Sequence, residues 1–241
     1  MSNSPCLHPP PAQAPFAPAF RVRADNLSCT RDRHPVYSRV SFSVSPGEVL
    51  LLRGPNGSGK STLLLNLAGL LPHEGTLSFA PDTGNGANGS DQPASERMHL
   101  IGHNSAMKKH LTLQENLSFW AHMSGGDPAQ ISDALIRAGL GGLDRYPAGH
   151  LSAGQRHRLS LARLLVSPRP LWLLDEPSSA LDASGDEWIA TLIAYQAQAG
   201  GLVIAATHRP IALDPAIPCS TLNMADHMPD HIPAPAMEAT P

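Results

Sequence analysis

Short apolar runs that end in polar residues recur along the chain and predict the strands of a buried sheet. They cover residues 49–52, 171–174 and 201–206. Runs of this length, bounded by polar turns, are typical of parallel strands that helices cover on both faces. Ligands of open α/β sheets bind at the carboxyl ends of the strands. Since polar residues follow all three runs, we expect one site that collects side chains from three distant parts of the chain.

A glycine-rich loop follows the first run and matches the pattern G-x-x-x-x-G-K-[ST]. A predicted apolar helix comes next, which is the context that this phosphate-binding motif requires. Glycines allow backbone N–H groups to surround phosphate oxygens, and the start of the helix adds about half a positive charge. We expect Lys60 to reach the β- and γ-phosphates of ATP and the Ser61 hydroxyl to bind Mg²⁺. The residues predicted to bind the nucleotide are Gly54, Pro55, Asn56, Gly57, Ser58, Gly59, Lys60, Ser61 and Thr62.

Two adjacent carboxylates, Asp175 and Glu176, follow the second run. Hard cations prefer oxygen ligands, so Asp175 is suited to Mg²⁺, directly or through water. Glu176 is placed to polarise an attacking water, and general-base catalysis typically contributes about 10²–10⁴ in rate. Alone, two acids after a strand are more often a solvated turn. Together with the glycine-rich loop, they predict a site that hydrolyses ATP.

Residues 151–155, Leu-Ser-Ala-Gly-Gln, resemble the signature motif of ATP-binding cassette (ABC) ATPases, with Ala153 in place of one glycine. A helix that opens after Ser-x-Gly is a second phosphate-binding terminus, and one nucleotide does not need two of them. The resemblance implies a head-to-tail dimer in which Ser152, Gly154 and Gln155 bind the ATP of a second ATPase subunit. It also implies an α/β fold: a P-loop NTPase ABC ATPase domain with a mostly parallel core sheet, an antiparallel β subdomain and a helical subdomain.

Two further segments resemble motifs of the same family. Residues 179–182 resemble the loop that crosses the dimer interface, so Asp182 is expected to contribute to nucleotide binding there. His208 follows the third run and matches the histidine that contacts the γ-phosphate and positions the water. The resemblance therefore makes Glu176, His208 and Lys60 the catalytic residues.

At two positions the chain departs from the usual pattern of the family. Asn104 stands where a glutamine that binds Mg²⁺ is expected, and its side chain is one methylene shorter. A bridging water is then an alternative to direct contact with the metal ion. Residues 28–34, where an aromatic residue often stacks on adenine, contain none. The guanidinium plane of Arg31 is an alternative stacking partner.

Residues 101–104 and 111–120 resemble the ATP-binding subunits of the haem exporter of cytochrome c maturation. This likeness implies a peripheral location on the cytoplasmic face of a bacterial inner membrane. The partners would be one or more integral membrane subunits of that maturation system, and ATP hydrolysis would drive haem export or delivery. Whether haem is transported or released from a chaperone stays open. The cargo site would belong to the membrane partner, so haem is not expected to bind this chain directly, although it has 12 histidines.

Composition divides the chain into one domain and two tails. Proline-rich residues 1–20 and 223–241 are expected to be disordered, because such segments bury little apolar surface. Residues 21–222 are expected to form a single ABC ATPase domain, with the helical subdomain at about 105–165. The formal net charge of −3 argues against a nucleic-acid partner. No apolar stretch is long enough for a transmembrane helix, and three scattered cysteines predict neither a disulfide framework nor a zinc site.

Three alternative functions compete with this interpretation. The first is the ATPase subunit of another ABC exporter, for drugs or lipids, which would share the same ATP chemistry. The second is an ABC ATPase that acts on DNA or ribosomes, which usually carries two cassettes or a long coiled-coil insertion. The third is a small-molecule P-loop kinase, which would leave the Leu-Ser-Ala-Gly-Gln helix unexplained. The first stays open, and the other two fit the sequence poorly.

Overall fold

The computed structural model describes residue 16 and residues 20–81, 97–102 and 106–229 of the 241-residue chain. In chain order the strands and helices are β1 (Phe20–Arg31), β2 (His34–Val44), β3 (Val49–Arg53), α1 (Lys60–Leu67), β4 (Glu74–Pro81), β5 (Met98–Ile101), α2 (Leu113–Met123), α3 (Ile131–Arg137), α4 (Ala153–Val166), β6 (Leu171–Asp175), α5 (Ala183–Gln198), β7 (Leu202–Ala206) and β8 (Cys219–Asn223). Short 3-10 helices cover Pro128–Gln130, Ala148–His150 and Met224–His227. The three predicted apolar runs are strands β3, β6 and β7.

The strands form two sheets. The larger has the order β5-β6-β7-β3-β8, and each pair of neighbours in it is parallel. The smaller has the order β2-β1-β4, and both of its pairs are antiparallel. The prediction of an α/β fold with a parallel core sheet and an antiparallel β subdomain is therefore confirmed.

Strands β3, β6 and β7 of the parallel sheet are buried on both faces, and their side chains alternate between two apolar clusters. In β3, Val49 and Leu51 belong to one cluster, whereas Leu50 and Leu52 belong to the other, as the two-residue period of a strand requires. The antiparallel sheet and α1 contribute to the cluster on one face, and α4 and α5 to the cluster on the other. Burial on both faces is the reason that these strands are continuous apolar runs rather than alternating ones.

Helices α2, α3 and α4 contact one another beside the parallel sheet. The first two lie within the range 105–165 predicted for a helical subdomain, and α4 extends it by one residue. Arg163 of α4 is buried, donates to the carbonyl of Leu100 in β5, and places its guanidinium 4.5 Å from the ring centroid of Trp120 in α2. Burial lowers the pKa of Arg163 to about 10, so it stays charged at neutral pH. This buried cation joins the helices to the sheet.

The predicted domain boundary at residue 222 is too early. Strand β8 ends at Asn223, and the 3-10 helix that follows buries Met224 in the same apolar cluster as α1. His227 also donates through Nδ1 to the carbonyl of Ser38 at 3.2 Å. Residues 223–229 thus belong to the folded domain, because an apolar side chain anchors them to the sheet. Residues 230–241, and the N-terminal tail apart from residues 16 and 20, lie outside the described residues.

A buried histidine in β5 makes stability depend on pH. His99 donates through Nε2 to the carbonyl of Ser167 at 2.5 Å, and burial, opposed in part by this bond, lowers its pKa from 6.5 to about 4. Arg163 and Arg169 lower it further. Because the folded pKa lies below the unfolded one, the neutral ring contributes stability above pH 6.5, and this contribution is lost as pH falls towards 4.

We expect His99→Gln, which can keep a donor to Ser167, to remove this part of the pH dependence. The loss for the wild type between pH 6.5 and 4 is at most about 3 kcal/mol of unfolding free energy from this residue. Urea denaturation of both proteins at several pH values measures the difference. An identical decline in wild type and variant would contradict the assignment.

Candidate functional site

The glycine-rich loop connects β3 to α1 and begins the helix without a side-chain cap. Gly59 is the residue before the helix and has φ 90°, in the left-handed region that glycine adopts readily. Its missing Cβ also matters, since a Cβ there would lie 3.0 Å from Cγ1 of Val36 in β2. The first N–H groups of α1 have no partner within the helix, so they can bind an anion.

Lys60 is buried at the start of α1, and its side chain folds back onto the glycine-rich loop. Its Nζ donates to the carbonyl oxygens of Gly54 at 2.8 Å and Pro55 at 2.9 Å. Ser58, also in the loop, is fully buried, and its hydroxyl has no hydrogen-bond partner among the described residues. The ammonium of Lys60 is therefore held by carbonyl groups of its own loop.

A cavity of about 470 Å³ opens beside this loop and collects side chains from distant parts of the chain. The loop and the start of α1 form one wall, and the residues after β6 and β7 form the other. The lining residues are Asn56, Gly57, Gly59, Lys60, Ser61, Thr62, Asp175, Glu176, Ser179 and His208. The structure therefore brings together six of the nine residues predicted in the glycine-rich loop with Asp175, Glu176 and His208.

Glu176 occupies a strained turn directly after β6. Its φ of 51° lies in the left-handed region, which is unfavourable for a residue with a Cβ. The turn is held because the N–H of Glu176 donates to the carbonyl of Ala206 in β7 at 2.8 Å. Its carboxylate is only 13% exposed and lies 2.9 Å from Nδ1 of His208, which donates to it. The backbone N–H of His208 donates to the same oxygen at 3.4 Å.

The donor set fits Mg²⁺ better than a transition metal. Asp175 is buried at the end of β6 and shares the cavity with the Ser61 hydroxyl. Magnesium prefers a small number of protein oxygens and completes its shell with water and phosphate oxygens. Within residues 20–81, 97–102 and 106–229, no group of three or more His, Cys, Asp or Glu side chains could hold a metal. Asn104, the third predicted ligand, lies outside the described residues.

A second cavity, of about 490 Å³, contains the four residues that were predicted to bind the nucleotide of a facing subunit: Ser152, Gly154, Gln155 and Asp182. It is lined by Gly139, Leu143, Ser152, Gly154, Gln155, Arg158, Ala180, Leu181 and Asp182. Ser152 caps α4 by accepting from the N–H of Gln155, and the Gln155 side chain accepts in return from the N–H of Ser152. Ser152, Gly154, Gln155 and Asp182 do not line the first cavity. They therefore offer a separate surface for a ligand.

Asp182 is held between two elements of the second cavity. It caps α5 by accepting from Ser184 at 2.9 Å and from the N–H of Gly185 at 3.0 Å, and both bonds lower its pKa. Arg158 of α4 pairs with the same carboxylate at 3.0 Å. The contact between α4 and this loop is close, because a Cβ on Gly154 would lie 2.9 Å from the carbonyl oxygen of Ala180.

Two arginines that hold these loops in place were not predicted from the sequence. Arg158 pairs with Asp182, and Arg209, directly after His208, contacts the carbonyls of Ser178 and Leu181. The only signal for Arg209 is its position beside the predicted histidine. Arg31, the alternative stacking partner for adenine, is exposed on the β1–β2 hairpin. Tyr37, the nearest aromatic residue in the sequence, is buried and donates to Asn66 at 2.7 Å, so it does not offer its ring at the surface.

The first cavity matches the requirements of nucleotide hydrolysis. It offers backbone donors and a lysine for phosphates, oxygen ligands for a divalent cation, and a shielded carboxylate beside a histidine for a water molecule. Among the described residues, no helix is long and apolar enough to cross a membrane.

Known proteins of similar sequence are ATP-binding proteins of ABC transporters, in agreement with the features of the first cavity. The family model described as "ABC transporter" matches residues 37–179. The cytochrome c biogenesis ATP-binding export protein CcmA of Rhizobium meliloti (strain 1021) is 44% identical over 196 residues, which cover 80% of this chain and 93% of that protein. The CcmA protein of Rhodopseudomonas palustris (strain BisB5) is 46% identical over 188 residues, 78% of this chain and 91% of that protein.

Solved structures support the fold. A putative ABC transporter ATP-binding protein from Pyrococcus furiosus superposes with a TM-score of 0.72 at 22% identity, covering 87% of this chain and all of that one. The ADP conformation of an ATP-binding cassette of an ABC transporter, MJ1267, gives a TM-score of 0.63 at 24% identity, covering 79% and 82% of the two chains. At these identities the similarity concerns the fold alone.

We expect Gly154→Ala to destabilise the domain by about 1–3 kcal/mol, because the new methyl group would be forced against the Ala180 carbonyl. Ala153→Ser is the matched control: position 153 is exposed and already carries a Cβ, so its effect should stay within about 0.5 kcal/mol. Urea denaturation followed by circular dichroism compares the two. Equal stability of Gly154→Ala and the control would contradict this packing.

Proposed function

Because the chain belongs to the ABC transporter ATP-binding family, and within it to the cytochrome c biogenesis ATP-binding export proteins CcmA, we propose that it hydrolyses ATP to drive haem export or delivery for cytochrome c maturation. One observation carries the ATPase assignment. A single cavity holds the glycine-rich loop, Asp175, Glu176 and His208, which come from three separate strand ends.

Phosphate binding begins with an exchange of partners at Lys60. Its ammonium leaves the carbonyls of Gly54 and Pro55 for the β- and γ-phosphates, while the first N–H groups of α1 donate to phosphate oxygens. Ser61 and Asp175 would hold Mg²⁺, which when bound neutralises phosphate charge. Asn104 is proposed to contact this ion directly or through water.

Glu176 is the proposed general base and His208 its partner. The carboxylate is shielded from bulk solvent and accepts from two N–H groups of His208, which hold it in one orientation. A carboxylate held in this way can orient a water towards the γ-phosphate and accept its proton. When ATP is bound, His208 is proposed to turn from Glu176 to the γ-phosphate. The two residues would then position water and phosphate relative to each other.

The second cavity supports a head-to-tail dimer. Ser152, Gly154 and Gln155 lie at the start of α4, which is a phosphate-binding terminus outside the first cavity. We propose that this surface, with Asp182, binds the ATP of a facing subunit, so each nucleotide would be enclosed by two chains. The membrane partner is proposed to be an integral subunit of the cytochrome c maturation system, and the chain is proposed to bind it at the cytoplasmic face of the inner membrane.

Glu176→Gln should keep ATP binding and abolish turnover, because the amide keeps the shape of the side chain but cannot accept a proton. We expect kcat to fall by at least about 10²-fold and an ATP-bound dimer to accumulate in gel filtration. Lys60→Ala is the contrasting variant and should weaken nucleotide binding instead. Hydrolysis by Glu176→Gln at the wild-type rate would show that the base is another residue.

The cellular role is tested by a haem stain for c-type cytochromes in a strain that lacks this gene and has no second maturation route. We expect selective loss of c-type cytochromes, restored by the wild type but not by Glu176→Gln. Normal c-type cytochromes in the deletion strain would exclude the haem assignment. An ATPase of another exporter would then remain, and its cargo would be found through the copurifying membrane protein.

A further inference from the structure

Arg209, the residue after His208, binds the loop that connects β6 to α5. Its Nη1 donates to the carbonyl oxygens of Ser178 at 3.0 Å and Leu181 at 3.4 Å. Its Nη2 donates to the carboxylate of Asp186 in the first turn of α5. One guanidinium therefore bridges both ends of residues 178–181 and the helix that follows them.

The backbone that carries Arg209 is itself fixed to the sheet. Arg53, the last residue of β3, donates through Nη1 to the carbonyls of Thr207 at 3.1 Å and Arg209 at 2.7 Å. The N–H of Arg209 donates to the Thr207 hydroxyl at 3.1 Å. His208 lies between these two anchored residues. The side chain of Arg209 therefore starts from a backbone position that is fixed next to His208.

The loop held by Arg209 takes part in both cavities. Ser179 lines the cavity that contains Lys60 and Glu176. Ala180, Leu181 and Asp182 line the second cavity, where the Ala180 carbonyl lies against Gly154. The guanidinium of Arg209 thus contacts residues 178–181, the short segment that contributes lining residues to both cavities.

We propose that Arg209 is a positioning residue that holds the loop 178–182 at a fixed position relative to His208. Arginine suits this role because its planar fork can serve two carbonyls and a carboxylate at once, whereas the single ammonium of lysine cannot reach all three in the same geometry. Because Arg209 is itself fixed beside His208, the loop is kept where Ser179 lines the first cavity and Ala180, Leu181 and Asp182 line the second. The proposal rests on the proposed function, since it assigns a role in ATP turnover.

The test is steady-state ATP hydrolysis by Arg209→Met, Arg209→Lys and Asp186→Asn. We expect Arg209→Met to lower kcat about 10- to 100-fold, the range that a small misplacement of catalytic groups produces, with KM for ATP changed less than about threefold. Arg209→Lys should recover part of the rate, because it keeps the charge near Asp186. Asp186→Asn should have a smaller effect than Arg209→Met, and none when added to it.

Arg23→Met is the matched control. Arg23 also pairs with a carboxylate, Asp25 at 2.8 Å, but it lies in β1 and lines neither cavity. We expect wild-type kcat for this variant. Thermal melts of every variant identify any loss of folded protein, and rates are compared at a temperature at which all variants are folded.

A second measurement separates positioning from general stability. In the Glu176→Gln background, Arg209→Met should shorten the lifetime of the ATP-bound dimer without changing ATP affinity of the monomer. Unchanged kcat and dimer lifetime in folded Arg209→Met would overturn the proposal. So would a kcat loss that disappears once folded protein is counted. If the wild type fails to hydrolyse ATP, or Glu176→Gln alone forms no ATP-bound dimer, the proposed function fails instead.

Discussion

Parallel pairing of β3, β6 and β7 is the constraint on which the functional site depends. Ala206 of β7 pairs with Leu52 on one side and with Asp175 on the other. The residues that follow these three positions are therefore delivered to the same edge of the sheet. A slip of one residue in this register would turn every side chain of the slipped strand to the opposite face, and it would move Glu176 away from His208. The two apolar clusters oppose such a slip, because each strand has a distinct set of side chains to bury on each face.

Much of this arrangement could be predicted from sequence because its signals are local. A strand buried on both faces appears as an apolar run, and the glycine-rich loop combines residue types that few other structures require. The confirmed elements, β3, β6 and β7, are all of this kind. Strand β8 gives no such signal: most of its residues are exposed. The same holds for Met224, whose burial depends on a sheet far away in the chain. The boundary at residue 222 was wrong for that reason.

The contacts that hold the loops could not be predicted, because they depend on distances in space. Arg209 is 23 residues from Asp186 and 31 from Ser178, and Arg158 is 24 residues from Asp182. No spacing rule connects such pairs. An arginine on a loop is usually solvated, and only the fold shows which one meets carbonyl oxygens. The residues of the cavities were thus predictable as types, whereas the arginines that orient them were not.

At Glu176 the left-handed backbone and the proposed catalytic role favour different residue types. This backbone conformation is less favourable in energy for glutamate than for glycine or asparagine, yet only an acid can serve as the proposed base. Strain of this type persists where surrounding structure imposes it, here through the bond from Glu176 to Ala206. An engineering programme that selected this protein for heat resistance alone would therefore tend to replace Glu176 early. The thermostable product would have lost the residue that the fold is strained to present.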